Sequence, residues 1–304
     1  MLIRMAFLML SLAITTAAHA SSSSALADKY ADNNGVRIHY VASGKGPLVV
    51  MIHGFPDYWA TWKPLIRDLG ADGYRTVAID DRGYNLSDKP KGVAAYAMSN
   101  LVADVAAVIA AEGRSTAILV GHDWGAAIAW QVAIQHPELV NRLVILSVPH
   151  PSGLARELAN NKAQQASSQY ARNFQEPGSE THLTAEKLAA WVKNPTERKG
   201  YIDAFERSDF TAMMNYYRAN YPKSFDEETP VARIDEHDVV KCPVLVIHGM
   251  KDQALLAAGH SGTWEHVTED TTILMVPTAG HWVQHDAEAL VDRTIKDWLD
   301  QRRN

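Results

Sequence analysis

Six short runs of apolar, largely β-branched residues recur along the chain: PLVVMIH (47–53), TVAID (76–80), AILVG (117–121), LVILS (143–147), VLVIH (244–248) and TILMV (272–276). None shows the apolar–polar alternation of a strand with one wet face. Each therefore predicts a strand buried on both sides, as in a parallel sheet. Helical patterns lie between most of them, among them 99–112, 124–135 and 288–301. Strand alternating with helix implies an α/β fold, a mostly parallel central sheet flanked by helices. Ahead of the first run, GVRIHYVASG (35–44) alternates and ends in glycine, which predicts an antiparallel strand at one edge.

The rhythm breaks once. Residues 149–228 carry no buried-strand signal, are polar and helical in pattern, and are too many for a simple loop. They read as a helical lid inserted between a first core part (21–148) and a second (229–304). The first 20 residues, MLIRMAFLMLSLAITTAAHA, run from a basic residue through an apolar stretch to Ala18-His19-Ala20. That order is a cleaved secretory signal peptide, too short in its apolar part to span a bilayer, and it predicts a secreted or periplasmic protein with no membrane segment in its mature form. The following SSSSALADKY (21–30) reads as a short flexible leader.

Charge and cysteine content narrow the function. With 29 Lys+Arg against 35 Asp+Glu the net charge is −6, and no basic cluster offers a footprint for nucleic acid or an anionic membrane. The one cysteine, Cys242, precedes an apolar run and reads as a buried, inert thiol.

The segment LVGHDWGAAIAW (119–130) joins a predicted strand to a predicted helix through Gly121-His122-Asp123-Trp124-Gly125. The frame has the spacing G-x-S-x-G of a nucleophile turn, with aspartate in place of serine. Ligands of open α/β sheets bind at the carboxyl ends of strands, where Asp123 falls, and helix N-termini favour negative charge. A carboxylate is already a nucleophile near neutral pH. It suits displacement at a saturated carbon, opening a strained ring or expelling halide, and leaves an alkyl ester that water must cleave. Cleavage needs a base, an acid to orient it and an oxyanion hole. His281, in PTAGHWVQHD, follows the last predicted strand, and Asp252, in VIHGMKD, follows the one before. Nucleophile, acid and histidine then stand in the chain order of α/β-hydrolases. His285 suggests a metal pair with His281, but HWVQH lacks the Glu and third ligand of a zinc site. His53, His122 and His248 flank strand ends and read as structural; Asp270 and Asp286 are rival acids. The oxyanion donors expected are the main-chain N–H groups of Trp124 and of Phe55, in MIHGFPDYW, where Pro56 can take a cis bond.

Together HGFPDYWATW, DDRGYNLSDKP, GHDWGAAIAW, FQEPG, NYYRAN and GMKD…AGHW make the chain resemble α/β-hydrolase-fold epoxide hydrolases from about residue 30 to 299. The resemblance implies Asp123 as nucleophile, His281 as water-activating base, Asp252 as its acid and 53–56 as the oxyanion loop. It implies two lid tyrosines that hold and protonate the epoxide oxygen, Tyr170 and Tyr217, with Tyr216 the competing assignment for the second. Phe55, Pro56 and Trp124 are then substrate-binding. No metal or organic cofactor is called for; the partners are a small epoxide and water. Haloalkane and haloacid dehalogenases share the aspartate and are the alternative: Trp124 resembles the haloalkane type, where a tryptophan there can hold the leaving halide, but Phe55 stands where many of those have asparagine, and Trp124 stands where the haloacid type has an arginine to grip a carboxylate. A secreted binding or signalling protein on a hydrolase scaffold is the alternative of another class. Asn85 stands where the family pattern RGYGLSD has glycine; asparagine tolerates a left-handed backbone, so the turn is expected to survive.

Overall fold

The computed structural model describes residues 25–224 and 238–303, so the expected signal peptide, residues 21–24, and the expected end of the lid with the start of the second core part lie outside the described residues. Among the described residues eight strands form one sheet: β1 (Ala27–Asn33), β2 (Val36–Gly44), β3 (Leu48–Ile52), β4 (Arg75–Ile79), β5 (Ala117–His122), β6 (Val140–Leu146), β7 (Val244–Gly249) and β8 (Thr271–Val276). Their order is β1-β2-β4-β3-β5-β6-β7-β8. The β1–β2 and β2–β4 pairs are antiparallel and all others parallel.

The helices of the core are α1 (Lys63–Ala71), α2 (Met98–Ala111) and α3 (Trp124–Gln135), and those of the interval between β6 and β7 are α4 (Pro151–Asn160), α5 (Lys162–Ser167), α6 (Gln169–Asn173), α7 (Ala185–Leu188), α8 (Pro195–Glu206) and α9 (Phe210–Asn220). Two more, α10 (Val283–Asp286) and α11 (Glu288–Asp300), close the chain.

The unalternating runs do what their pattern requires. Along β3, Val50 and Ile52 join an apolar cluster with Val105 and Ile109 of α2 and Ala126 and Ala129 of α3. Val49 and Met51, between them, join Leu65 and Leu69 of α1 and Ile295 and Trp298 of α11 on the other face. Because strand side chains alternate sides, a strand covered on both faces has no position left for a polar residue.

Three expectations need correction. Residues 27–33 are not a flexible leader but strand β1, pairing Ala27 with Ala42 through Asn33 with Val36. Only Ala31 of the seven is buried, so the strand has no apolar signature. What sets it is the turn: Asn34 and Gly35 take φ of 52° and 85°, the two positive values of a type I′ hairpin. Consequently β2 is antiparallel as expected but not the edge strand, since β1 lies outside it. At the opposite edge, β8 is half-exposed rather than buried on both faces. No helix among the described residues is long and apolar enough to cross a membrane.

From Pro151 to Asn220 the interval between β6 and β7 is built of helices joined by turns, and it docks on the core by side-chain hydrogen bonds. Gln164 donates to the Ala254 carbonyl at 2.8 Å and accepts from the Leu256 N–H at 2.8 Å, while Arg156 donates to the Ser261 and Ala258 carbonyls.

Candidate active site

Asp123 stands between β5 and α3 with φ 52° and ψ −123°, in the region that side-chain-bearing residues avoid. The turn is held in that state by crowding. A Cβ on Gly125 would lie 2.1 Å from the Ile52 carbonyl oxygen, and one on Gly54 would lie 2.3 Å from Asp123 Cβ. Only glycines let strand β3, its following loop and α3 approach so closely. The side chain is thereby turned up at the carboxyl end of the sheet, beside the N-terminus of α3, where unpaired N–H groups favour an anion.

Each partner follows a strand end. The Phe55 N–H donates to Asp123 Oδ1 at 2.7 Å, and the Phe55–Pro56 peptide is cis. Trp124, the first residue of α3, supplies the adjacent main-chain N–H, which has no acceptor within the helix. His281, in the loop after β8, brings Nε2 to 3.3 Å from Asp123 Oδ2. Its Nδ1 lies 2.8 Å from Asp252 Oδ2, after β7. The other Asp252 oxygen accepts from the N–H groups of Ala254 and Leu255 at 2.8 and 3.0 Å, so the carboxylate cannot turn away.

The electrostatics follow from these contacts. Burial alone would depress the His281 pKa, but hydrogen bonds and charge from Asp123 and Asp252 outweigh it and carry it up to about 10. Burial likewise works to raise both carboxyls, and the imidazolium reverses it, holding Asp123 and Asp252 below the ordinary carboxylate value. The resting site is therefore an imidazolium between two carboxylates.

Tyr170, on α6, and Tyr217, on α9, have ring centroids 6.2 Å apart and line one cavity of about 460 Å³ with Asp123 and Trp124. Both phenols are pushed well up, by burial first and by the Asp123 charge among the rest, so both keep their protons. The Trp124 indole packs edge to face with the Tyr217 ring, centroids 5.1 Å apart. Tyr216 does not reach the cavity lining: its hydroxyl donates to the Arg82 carbonyl at 2.8 Å. Phe55 and Pro56 also lie outside the lining; the Phe55 ring packs on Phe174 and Tyr217, at centroid distances of 5.4 and 5.8 Å.

The competing residues have other partners. His285 Nε2 meets Thr61 Oγ1 at 2.8 Å, Asp286 accepts from the Gly280 N–H at 2.8 Å, and Asp270 pairs with Arg302. His53 bridges the Gly54 carbonyl and the Asp81 N–H, and His248 faces the Ser147 carbonyl. Cys242 is buried, its thiol pushed up to about 12 by burial. No group of three or more His, Cys, Asp or Glu side chains among the described residues is placed to hold a metal ion.

With an aspartate on the nucleophile turn, an Asp–His pair behind it and two buried tyrosines in front, the comparisons with known proteins become specific. A family model described as alpha/beta hydrolase fold matches residues 47–288. The chain is 33% identical to Epoxide hydrolase 3 of Xenopus tropicalis over 289 residues, 88% of this chain and 76% of that protein. It is 33% identical to Epoxide hydrolase 1 of Caenorhabditis elegans over 285 residues, 90% and 70% of the two chains. A crystal structure of a Bacillus megaterium epoxide hydrolase with an inhibitor superposes with a TM-score of 0.82 at 32% identity, covering 90% of this chain and all of that one. The chain belongs to the epoxide hydrolase family of the α/β-hydrolase fold. A mutant of the B. megaterium enzyme, similar at TM-score 0.83 and 32% identity, is solved with its product, (R)-3-[1]naphthyloxy-propane-1,2-diol.

In this epoxide hydrolase two further residues hold the loop of His281: His122, which reads from the sequence as structural, and Ser147, which has no sequence signal. His122 Nε2 and Ser147 Oγ both donate to the His281 carbonyl, at 2.9 and 2.7 Å. His122 is buried, which lowers its pKa to about 3 and keeps it neutral. Its proton must sit on Nε2, because the partner is a carbonyl. These contacts link positions far apart in sequence and leave no motif.

Proposed function

We propose that the enzyme hydrolyses an epoxide to a vicinal diol through an alkyl ester on Asp123. The observation that carries this reading is the Asp123 carboxylate, held by the Phe55 N–H and His281, at one wall of a cavity that also holds Tyr170 and Tyr217. The tyrosines donate hydrogen bonds to the ring oxygen. Asp123 attacks a ring carbon, the C–O bond breaks, and a tyrosine proton passes to the leaving alkoxide. The products of this step are a hydroxyalkyl ester and a tyrosinate.

Esterification removes one of the two charges that raise the His281 pKa, so the imidazolium gives up its proton, restoring the tyrosine. Neutral His281, oriented by Asp252, then takes a proton from water, whose oxygen attacks the ester carbonyl. The N–H groups of Phe55 and Trp124 stabilise the oxyanion. Collapse expels the diol oxygen, which takes the proton of the newly formed carboxyl. Asp123 is again a carboxylate and His281 again an imidazolium, so the cycle closes on epoxide plus water giving diol.

Among the described residues the cavity is lined mainly by aliphatic and aromatic side chains, such as Met98, Leu154, Leu158 and Leu255, with Asp123 and Asp238 and without a basic residue. That supports an uncharged, apolar epoxide as substrate. The first 20 residues support export, to be tested by the N-terminus of the mature protein.

The test of the reaction is His281→Gln incubated with a panel of epoxides and haloalkanes, followed by the mass of the peptide bearing Asp123. An added mass equal to the whole epoxide is expected. A haloalkane adduct lacking HX, with no epoxide adduct, would instead make this a dehalogenase.

A further inference from the structure

Tyr217 sits on a helix that is gripped at its start, middle and end by one stretch of the core, residues 82–96. At the start, the Asp209 N–H donates to the Gly83 carbonyl at 3.0 Å. The Asn85 N–H donates to Ser208 Oγ at 2.8 Å, and Asn85 Oδ1 accepts from Arg207 Nε at 2.7 Å. Asn85 Nδ2 at the same time donates to buried Asp80 Oδ2 at 2.7 Å, so the amide is fixed from both sides. In the middle, the Tyr216 hydroxyl donates to the Arg82 carbonyl at 2.8 Å. At the end, Asn220 Nδ2 donates to the Tyr96 carbonyl at 2.8 Å.

The anchor itself is rigid. Arg82 is buried and makes two hydrogen bonds of 2.6 Å to the buried Asp104 carboxylate on α2. The Tyr216 ring is fully buried among Tyr84, Tyr96 and Trp124, at centroid distances of 5.7, 5.5 and 5.8 Å. Tyr216 and Tyr217 are successive helical residues, so fixing the direction of one fixes the other roughly 100° around the axis. A tyrosine hydroxyl lies roughly 9 Å from the helix axis, and a rotation of about 10° would move it by about 1.5 Å. A misplacement of about 1 Å at a reacting group can cost on the order of 100-fold in rate.

We propose that Tyr216 and Asn85 are positioning residues for ring opening, through which the core stretch around Arg82 sets the rotation and depth of α9 and so places the Tyr217 hydroxyl over Asp123. The proposal rests on the reading of Tyr217 as donor to the epoxide oxygen. It accounts for the asparagine where the family pattern has glycine: the left-handed backbone, φ 39°, is kept and a side-chain tie to Arg207 is added.

The test uses Tyr216→Phe, which keeps the ring and removes one hydroxyl, and Asn85→Gly, which keeps the turn and removes the tie. Single-turnover alkylation and ester hydrolysis are measured separately with phenyl glycidyl ether, in the wild-type and Tyr217→Phe backgrounds. Expected is alkylation slowed about tenfold or more by Tyr216→Phe and less by Asn85→Gly, ester hydrolysis within about twofold, and no further slowing when Tyr217 is already Phe. Unchanged alkylation in both variants while Tyr217→Phe slows it would overturn the positioning role and leave the reading of Tyr217 intact. Equal slowing in both backgrounds, or of both steps together, would reduce the contacts to fold stability and overturn it as well. Unchanged alkylation in Tyr217→Phe alone would overturn the reading of Tyr217 and the proposal with it.

Discussion

Replacing Asp252 with asparagine tests the hydrolytic half of the mechanism without changing the size of the side chain. The oxygen at the Oδ1 position already accepts from the Ala254 and Leu255 N–H groups, at 2.8 and 3.0 Å. An asparagine keeps those two bonds only by putting its carbonyl there, which turns its NH2 toward His281 Nδ1. That nitrogen must then accept, the imidazole proton moves to Nε2, and the ring can no longer take a proton from water. Flipping the amide restores the working tautomer but sets donor against donor, leaving two buried N–H groups without an acceptor at about 1–3 kcal/mol each. The productive orientation is thus disfavoured by about 2–6 kcal/mol, so ester hydrolysis should fall by roughly thirtyfold to 10⁴-fold. Alkylation, which needs Asp123 and the tyrosines, should change far less, and the Asp252→Asn enzyme should accumulate ester. Rapid mixing, acid quench and the mass of the Asp123 peptide measure both rates. Turnover within about threefold of wild type, with no ester accumulated, would show that another group orients His281.

Further outcomes follow from the same geometry. Gly54→Ala places a methyl group 2.3 Å from Asp123 Cβ and 2.5 Å from its Oδ1, so the nucleophile is displaced and single-turnover alkylation should fall by at least about 100-fold. Asp123→Asn removes one of the carboxylates that hold the His281 pKa at about 10, and an NMR titration of its imidazole should show a lower value. Because that folded pKa is raised, the stability from the charged ring is complete below the unfolded value of about 6.5 and is lost as pH rises toward about 10. In Asp123→Asn the alkaline loss should start in the same range but be smaller and end at lower pH, and an unchanged titration would contradict the ion triplet. An epoxide bearing a carboxylate should show kcat/KM about thirtyfold below its methyl ester, as expected for about 2 kcal/mol of like-charge repulsion at roughly 8 Å. Equal values would mean that the acidic lining does not govern selection.

The features legible in the sequence were those with a local cause. A strand covered on both faces must be apolar throughout, so the parallel core from β3 to β7 could be read from its runs. The nucleophile turn is set by residues within five positions, and Asp252 and His281 each follow a strand end. Strand β1 was missed because its one buried residue, Ala31, gives no pattern and its only local signal is Asn34-Gly35. The edge character of β8 depends on sheet order, which no run of six residues carries. The contacts of His122 and Ser147 with the His281 carbonyl, and of Asn85 with Arg207, join residues more than 100 positions apart. Tyr216 and Tyr217 are alike in sequence; the direction each takes from α9 separates the one that anchors from the one that lines the cavity.

The central claim is that the carbon–oxygen bond made first is to Asp123 and not to water. A single turnover with enzyme in excess over epoxide, in oxygen-18 water, tests it directly. The account predicts diol with ordinary oxygen at both positions and the heavy isotope in the Asp123 carboxylate, found on the peptide that contains it. Heavy oxygen in the first-turnover diol, with none in Asp123, would mean that water opens the ring itself and would contradict the covalent mechanism.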